Sequence, residues 1–411
     1  KINIYEGRKQ LVEKINILGN TVTNESVIRG ELLLDEGDPF SSLKLDQTIA
    51  RIKARNLFGE VKNTITQGSS KDQKIIEISV EEKPTGEISA GAGIGTGGGS
   101  FAFNVSENNW LGKGVKISTN IDVSKDTFSG GLSVVNPNYN FSGNSLTYHI
   151  QRTSNDKSDS GYKNDIISTG VGTRFEQYRN IYLSPALSLS YDDLKVQDSA
   201  SEGLKKQKGT FTDLSFNYGI LLDNRDRVYD PTDGYISSFN QSVPLYADSP
   251  AIRNTYNFSK YKAFSEDMRG AFKFYTSTIH GLSDKDVRIN KRLNLSSSKL
   301  RGFENGKVGP KDNKDFVGGN YTMAGNFELS LPNLLPESTK TDVGLFLDLG
   351  NVWKVDYDST VGDSNIIRSS AGVSTSWTSP VGPMQFVFAK NITKATTDVT
   401  EFFKFQLGTS F

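Results

Sequence analysis

The sequence predicts a small α+β domain followed by a sixteen-stranded antiparallel transmembrane β-barrel. Three observations carry this expectation. Helical periodicity is confined to the segment before Gly86; beyond it, alternating apolar and polar runs are broken by Gly, Asn, Asp and Pro turns. The runs number sixteen, at about 87–95, 99–107, 113–124, 128–136, 143–153, 163–176, 180–196, 209–222, 234–245, 250–264, 269–282, 317–331, 341–353, 366–377, 383–391 and 400–411. An even count with connections alternately short and long fits a membrane barrel. The composition agrees: 35% hydrophobic residues, 24 Phe and 16 Tyr among 411, and a mean hydropathy of −0.44 suit a barrel with a polar, wet interior.

Composition also excludes. No apolar run reaches the roughly 18–20 residues of a membrane-spanning helix, whereas a barrel strand needs only about 9–11 alternating residues. The 47 Lys+Arg balance 47 Asp+Glu, so no basic excess points to nucleic acid. Zero cysteines remove disulfides, thiolate metal sites and a Cys nucleophile. The opening Lys1-Ile2-Asn3-Ile4 lacks Met and any charged-then-apolar leader, the expectation for a processed or truncated segment.

Within the first domain, residues 10–85, Val12–Leu18 alternates as a strand, and Asn24–Leu34 carries Val27, Ile28 and Leu32 at helical spacing. Leu43–Leu57 is a second helix, with Leu45, Ile49, Ile52 and Leu57 on one stripe. Val61–Thr66 and Lys74–Glu81 follow as strands joined by a turn-rich linker. The order β-α-α-β-β is a compact α+β unit. Lys1–Gly7 reads as the end of a preceding copy, filling residues 1–9.

The barrel, residues 86–411, shows its faces in the alternation. Leu214, Phe216, Tyr218 and Ile220 share one face against Asp213, Ser215, Asn217 and Gly219. Tyr321, Met323, Phe327, Leu329 and Leu331 oppose Asn320, Asn326, Glu328 and Ser330. Phe403, Phe405, Leu407 and Phe411 oppose Lys404 and Gln406. A soluble sandwich also alternates, but with shorter strands, and sixteen would need two cores.

Several segments, in order, resemble the BamA type of outer-membrane assembly protein, in which POTRA domains precede a sixteen-stranded barrel. Lys14–Asn20, Glu36-Gly37-Asp38, Asn56–Val61 and Glu82–Gly86 look like the barrel-proximal POTRA domain. Asn108–Gly114, Asp223–Gly234 and Ser379–Met384 fall on even-to-odd turns, the end that the resemblance places in the periplasm. Leu300-Arg301-Gly302-Phe303 is similar to the family's loop signature; Gly309-Pro310, Gly318-Gly319-Asn320 and Phe346–Trp353 follow in family order, and Phe411 resembles its terminal aromatic.

Two features carry mechanism. By alternation Glu328 and Asp348 face the lumen, and Arg is the side chain shaped to bridge carboxylates. The resemblance likewise implies that loop 283–316 folds inward and that Arg301 docks on that wall. Otherwise the two carboxylates are simply hydrated. The second feature is the closing seam. Ile88, Ala90, Gly91, Gly93 and Gly95 of the first strand must meet Phe403, Phe405, Leu407, Gly408 and Phe411 of the last. Small side chains and glycines pair poorly, so a seam that opens sideways offers a strand edge to an incoming chain; the plainer reading is a glycine-rich strand needed for curvature.

Other signals carry no chemistry. Gly93-Ile94-Gly95-Thr96-Gly97-Gly98 satisfies G-x-G-x-x-G, but a strand follows where a dinucleotide site needs a helix. Asp223, Asp226, Asp230 and Asp233 lack the EF-hand spacing. His149 and His280 stand alone, so no metal or triad is expected. Lys205-Lys206-Gln207-Lys208 reads as a solvated loop, and Trp110, Trp353 and Trp377 as interface anchors. The expectation is therefore a non-enzymatic insertase of a Gram-negative outer membrane, with no cofactor, metal or nucleotide. Its partners would be unfolded barrel clients, accessory lipoproteins, periplasmic chaperones, lipid and lipopolysaccharide. A TamA-type module or two-partner secretion transporter is the related alternative; a passive porin or enzyme barrel lacks support.

Overall fold

A computed structural model describes residues 9–379 and 382–410, so the strand expected at Lys1–Gly7, the tip of the Ser379–Met384 turn and Phe411 lie outside the described residues. The chain divides into two compact units. The first holds the α+β domain together with residues 105–119 and 132–147.

The domain runs β1 (Leu11–Leu18), α1 (Glu25–Arg29), α2 (Ser42–Ala54), β2 (Phe58–Gln67) and β3 (Gln73–Glu82). Its sheet order is β1-β3-β2, with β1 parallel and β2 antiparallel to β3. Helix α2 starts where Ser41 Oγ accepts from Lys44 N–H, and buries Leu45, Ile49 and Ile52 on Val12, Ile15, Ile76 and Ile78. Asn56, at φ +56°, ends the turn. Leu57, expected inside this helix, lies just past it but is still 2% exposed in the same core.

Helix α1 is much shorter than the Asn24–Leu34 expected. It stops at Gly30 because the next residues find better partners outside it. The Glu31 carboxylate meets Arg51 and Arg55, and Leu33 N–H donates to Thr48 Oγ1 at 3.0 Å. Ile28 and Leu34 are buried and Leu32 packs beside them, so the apolar spacing was a core signal rather than a helical one.

Contacts inside this unit seat the domain on two turns. Asn24 N–H donates to Gly112 O at 2.8 Å, Asn109 Nδ2 to Thr23 Oγ1 at 2.8 Å, and Arg55 Nη2 to Gly114 O at 2.8 Å. Gly112 sits at φ +71° with a Cβ position 2.1 Å from Val22 O, so no other residue fits there. Asn138 Nδ2 reaches Gly30 O at 3.0 Å on the second turn.

Sixteen antiparallel strands close into a barrel. They begin with β4 (Gly86–Gly95), β5 (Gly98–Trp110), β6 (Val115–Ser124), β7 (Thr127–Asn136), β8 (Ser145–Lys157) and β9 (Tyr162–Tyr178). Next come β10 (Ile181–Val196), β11 (Gly209–Asp223), β12 (Asp233–Ala247), β13 (Ala251–Ser265) and β14 (Met268–Gly281). A long loop with the small hairpin β15 (Lys311–Asp312) and β16 (Asp315–Phe316) precedes β17 (Tyr321–Leu331) and β18 (Thr341–Trp353). The last strands are β19 (Arg368–Ser379), β20 (Gly382–Thr393) and β21 (Phe403–Ser410). Each expected run corresponds to one barrel strand. On β17 the inward Thr322, Ala324 and Asn326 are buried, as are Phe346, Asp348, Gly350 and Val352 on β18, because the loop fills the lumen beside them.

The Glu82 carboxylate accepts Thr21 Oγ1–H and the backbone N–H groups of Val22 (2.8 Å) and Thr23 (2.5 Å). Burial pushes its pKa up, but hydrogen bonds from Thr21, Thr23 and Val22 outweigh it and hold the group at about 2. A folded value below the unfolded one stabilises the turn above the ordinary carboxylate range, and this is lost as pH falls towards 2. Hydrogen-exchange protection of the Val22 and Thr23 amides is therefore expected to decline between about pH 4.5 and 2 in the parent protein. In Glu82→Gln it should be weak even at neutral pH. Equal protection in both proteins at neutral pH counts against this role for the carboxylate.

Candidate functional site: the lumenal loop and the closing seam

The loop after β14 brings four residues against the inner wall of β17–β20. Arg301 sends Nε and Nη2 to the two oxygens of Asp348, each at 2.7 Å, and Nη1 to Glu328 Oε1 at 3.0 Å. Its backbone N–H donates to Asp348 as well, and its guanidinium lies 3.8 Å from the centre of the Phe346 ring. The Asp348 side chain is 0% exposed. The planar fork of arginine meets this carboxylate side-on while still reaching a second one, a geometry lysine lacks. Glu328 is also paired with Lys273, and Asn326 Nδ2 bridges Asp348 to Lys299 O.

The neighbours of Arg301 fix its backbone. Leu300 and Phe303 are each 1% exposed and pack with Leu295, Val308, Ala324 and Val352. Gly302 adopts φ +87°, and a Cβ there would lie 3.0 Å from Ala389 Cβ and 3.2 Å from Ser370 Cβ. Its carbonyl accepts from Asn391 Nδ2 at 2.8 Å and Glu401 N–H at 2.9 Å. Glycine alone meets both demands. The loop therefore presents an arginine between two buried apolar anchors, with a left-handed turn directly after it.

Three further arginines escaped the sequence reading. Arg288, 3% exposed at its side chain, lies between Asp213 (2.6 Å) and Asp192 (3.5 Å) and over the Phe211 ring. Arg292 is held by Asn320 Oδ1 at 2.7 Å, Val287 O at 2.7 Å and Asp356. Arg368, on β19, binds both oxygens of Asp398 at 2.9 Å, with both side chains 0% exposed. Residues 287–303 contain Arg288, Lys291, Arg292, Lys299 and Arg301 without one carboxylate. That local cationic excess, set against inward Asp192, Asp213 and Asp348, was the available signal.

The seam is short. Strand β21 pairs with β4 from Gln406↔Gly95 through Leu407↔Ile94 and Gly408↔Gly93 to Ser410↔Gly91. Between β10 and β11, register partners instead extend from Ile181↔Leu222 to Leu194↔Gly209. Of the expected seam residues, Gly91, Gly93, Gly95, Leu407 and Gly408 come together. Ile88 and Ala90 lie beyond the stretch paired among the described residues, and Ile88 is 74% exposed. The Phe403 and Phe405 rings stack on Phe388 and Phe386 of β20, at ring-centre distances of 5.0 and 5.4 Å, while the Phe405 carbonyl still accepts Thr96 N–H across the seam at 3.0 Å. Lys404, on the inner face, donates to Ser297 of the loop.

Fold and site define a class: a lumen-plugged outer-membrane β-barrel carrying a POTRA-like domain. Residues 109–411 match the family model described as Omp85 superfamily domain, and residues 10–83 match that described as Surface antigen variable number repeat. The chain belongs to the Omp85 superfamily. It is similar to the outer membrane protein assembly factor BamA of Neorickettsia risticii, at 27% identity over all of this chain and 56% of that protein. The BamA of Neisseria meningitidis is 26% identical over all of this chain and 58% of its own length. This chain thus spans little more than half of those relatives. The crystal structure of BamA from Haemophilus ducreyi lacking POTRA domains 1–3 superposes with a TM-score of 0.87 at 25% identity, covering 98% of this chain and 85% of that one. The barrel resides in the outer membrane of a Gram-negative bacterium, with the POTRA domain in the periplasm.

Arg301→Ala strips Asp348 of its bidentate partner inside a closed site, and breaking such a pair costs about 3–5 kcal/mol. The heat-induced gel shift that marks barrel unfolding should move to lower temperature, and Arg301→Lys should recover only part of the loss. An unchanged shift temperature for Arg301→Ala sinks the assignment. Gly302→Ala, strained at φ +87° and crowded by Ala389, should lower it independently.

Proposed function

We propose that this protein is a non-enzymatic outer-membrane insertase, in which β4 and β21 part to let client β-strands enter the membrane. The observation that carries the reading is the short, glycine-paired seam: the barrel closes through Gly91, Gly93, Gly95 and Gly408, where strand pairing has least side-chain support. The naming of its relatives as outer membrane protein assembly factors supports the same function.

Mechanistically, a parted seam exposes a row of backbone N–H and C=O groups that an unfolded client satisfies by adding a strand. Each added strand buries its apolar face in lipid, so the driving force is folding and membrane burial, without nucleotide. The edges of the POTRA sheet, β1 and β2, offer a prior docking place for extended clients delivered by chaperones, and a surface for accessory lipoproteins. The loop held by Arg301 keeps the lumen filled meanwhile, so that insertion proceeds without an open pore. Leu300, Gly302 and Phe303 serve this lock by holding Arg301 on Glu328 and Asp348.

The test uses a cross-strand pair. Ile94 and Leu407 oppose one another on the lipid face, and the chain has no cysteine of its own. Directly opposed antiparallel residues lie about 4.5–5.5 Å apart, within disulfide reach. The Ile94→Cys/Leu407→Cys variant, reconstituted in liposomes with an unfolded barrel client, should stop inserting when oxidised and resume on reduction. Undiminished insertion by the oxidised form refutes seam opening.

A further inference from the structure

Lysine is costly on the lipid face of a barrel unless its ammonium reaches the interface. Yet β13 carries two there. Lys260 opposes Phe272, which opposes Phe327 and through it Leu347; Lys262 opposes Gly270, which opposes Leu329 and through it Leu345. Residues directly opposed across a sheet share a face, so both lysines share the outer face with these apolar side chains. Both are exposed.

Between them lies a hollow of about 510 Å³ on the outer wall, lined by Phe264, Gly270, Phe272, Phe327, Leu329 and Leu345. Gly270 has no side chain to fill its floor, and the Phe264 ring leans into that place, 2.6 Å from where a Cβ would sit, while remaining 64% exposed. The Phe272 and Phe327 rings, 4.8 Å between centres, form one wall.

The position along the strand is equally specific. Lys262 faces Asp233, the first residue of β12, and Gly270, two residues after the start of β14. β13 and β14 are the tenth and eleventh strands of the barrel, so their turn is an even-to-odd connection on the POTRA side, and the hollow beside it opens at periplasmic-leaflet depth. Lys262 pairs with Asp233 at 3.0 Å, but both side chains are more than 60% exposed, an interaction that a phosphate readily displaces. Lys260 forms no ion pair among the described residues.

We propose that this hollow is a binding site for an anionic glycerophospholipid of the periplasmic leaflet. One acyl chain lies in the hollow between the Phe264 ring over Gly270 and the Phe272 and Phe327 rings, and the phosphate rests on the ammonium groups of Lys260 and Lys262. Charge complementarity selects this occupant over the apolar face of another membrane protein, which would leave two lysines facing hydrocarbon without a counter-charge.

The experiment places a reporter in the hollow. Full-length Phe264→Trp is reconstituted in phosphatidylcholine vesicles containing increasing fractions of acyl-brominated phosphatidylglycerol or acyl-brominated phosphatidylcholine. Quenching is read above the emission of the three native tryptophans. Phosphatidylglycerol should reach half-maximal quenching at a roughly five-fold lower mole fraction, the size expected of one lysine at an anionic surface, because Lys262 exchanges Asp233 for the phosphate and Lys260 gains a partner outright. Adding Lys260→Gln and Lys262→Gln should abolish that preference while leaving heat-dependent gel mobility unchanged. Leu345→Trp reports from the opposite wall should the first reporter disturb folding. Equal quenching by both lipids, or a preference that survives loss of the lysines, overturns the proposal. So does a tryptophan shielded from both lipids, which marks a protein neighbour instead.

Discussion

Closure is the constraint on which this molecule depends. In hydrocarbon no water satisfies a backbone N–H or C=O, so a sheet that spans the membrane must return to its first strand. Here the return falls on the glycine-rich β4 and the short β21, which pair over only five described positions. Glycine at 95 is not merely permissive: a Cβ there would lie 2.4 Å from Phe405 O. Close backbone approach and weak side-chain packing thus come from the same residue. The architectural and gating readings of the glycines are not alternatives at Gly95, whereas at Gly408, with open space around its Cβ position, only low strand propensity remains.

A polar lumen solves one problem and raises another. Alternation that puts apolar residues in lipid must put Asp192, Asp213, Glu328 and Asp348 inside, where filling the lumen strips away their water. The loop answers with arginines. Arg288 and Arg301 each meet two strand carboxylates, and the buried Arg368 of β19 captures Asp398 from the loop preceding β21. Pairs of this kind add little net stability over an apolar filling, but each is costly to break. They therefore specify one placement of the loop rather than a merely collapsed one.

How much of this was legible follows from the range of each interaction. The strands could be read because their period of two is local and the membrane enforces it along every run. Arg301 with Glu328 and Asp348 was legible because alternation fixed these carboxylates as inward and the family resemblance supplied the loop arginine. Arg288 with Asp192 and Asp213 was not, since the partners lie 96 and 75 residues away and nothing periodic links them. The helix expected over Asn24–Leu34 shows the opposite failure. Its apolar spacing was real, but Gly30 and the tertiary partners of Glu31 and Leu33 ended the helix after Arg29. Alternation put the lysines of β13 on the face of Tyr256 and Phe258, but the hollow beside them was hidden, because the register against β14 and β17 decides which side chains they meet.

Taken together, the two features divide labour unevenly across the barrel. The loop fastens to β17, β18, β19 and β20 through Asn326, Asp348, Ser370 and Asn391, and to β21 through Lys404 and Ser297. Strand β21 is further held to β20 by the Phe403 and Phe405 ring pairs. Strand β4 presents to its seam partner only Ile94, Ala92 and glycines. In the proposed mechanism the two sides of the seam are therefore unequal: β21 stays with the plugged wall, and β4 is the edge that leaves. A barrel organised in this way loosens its closure without loosening its lumen, because the charges that hold the loop and the backbone bonds that close the sheet are separate sets of interactions.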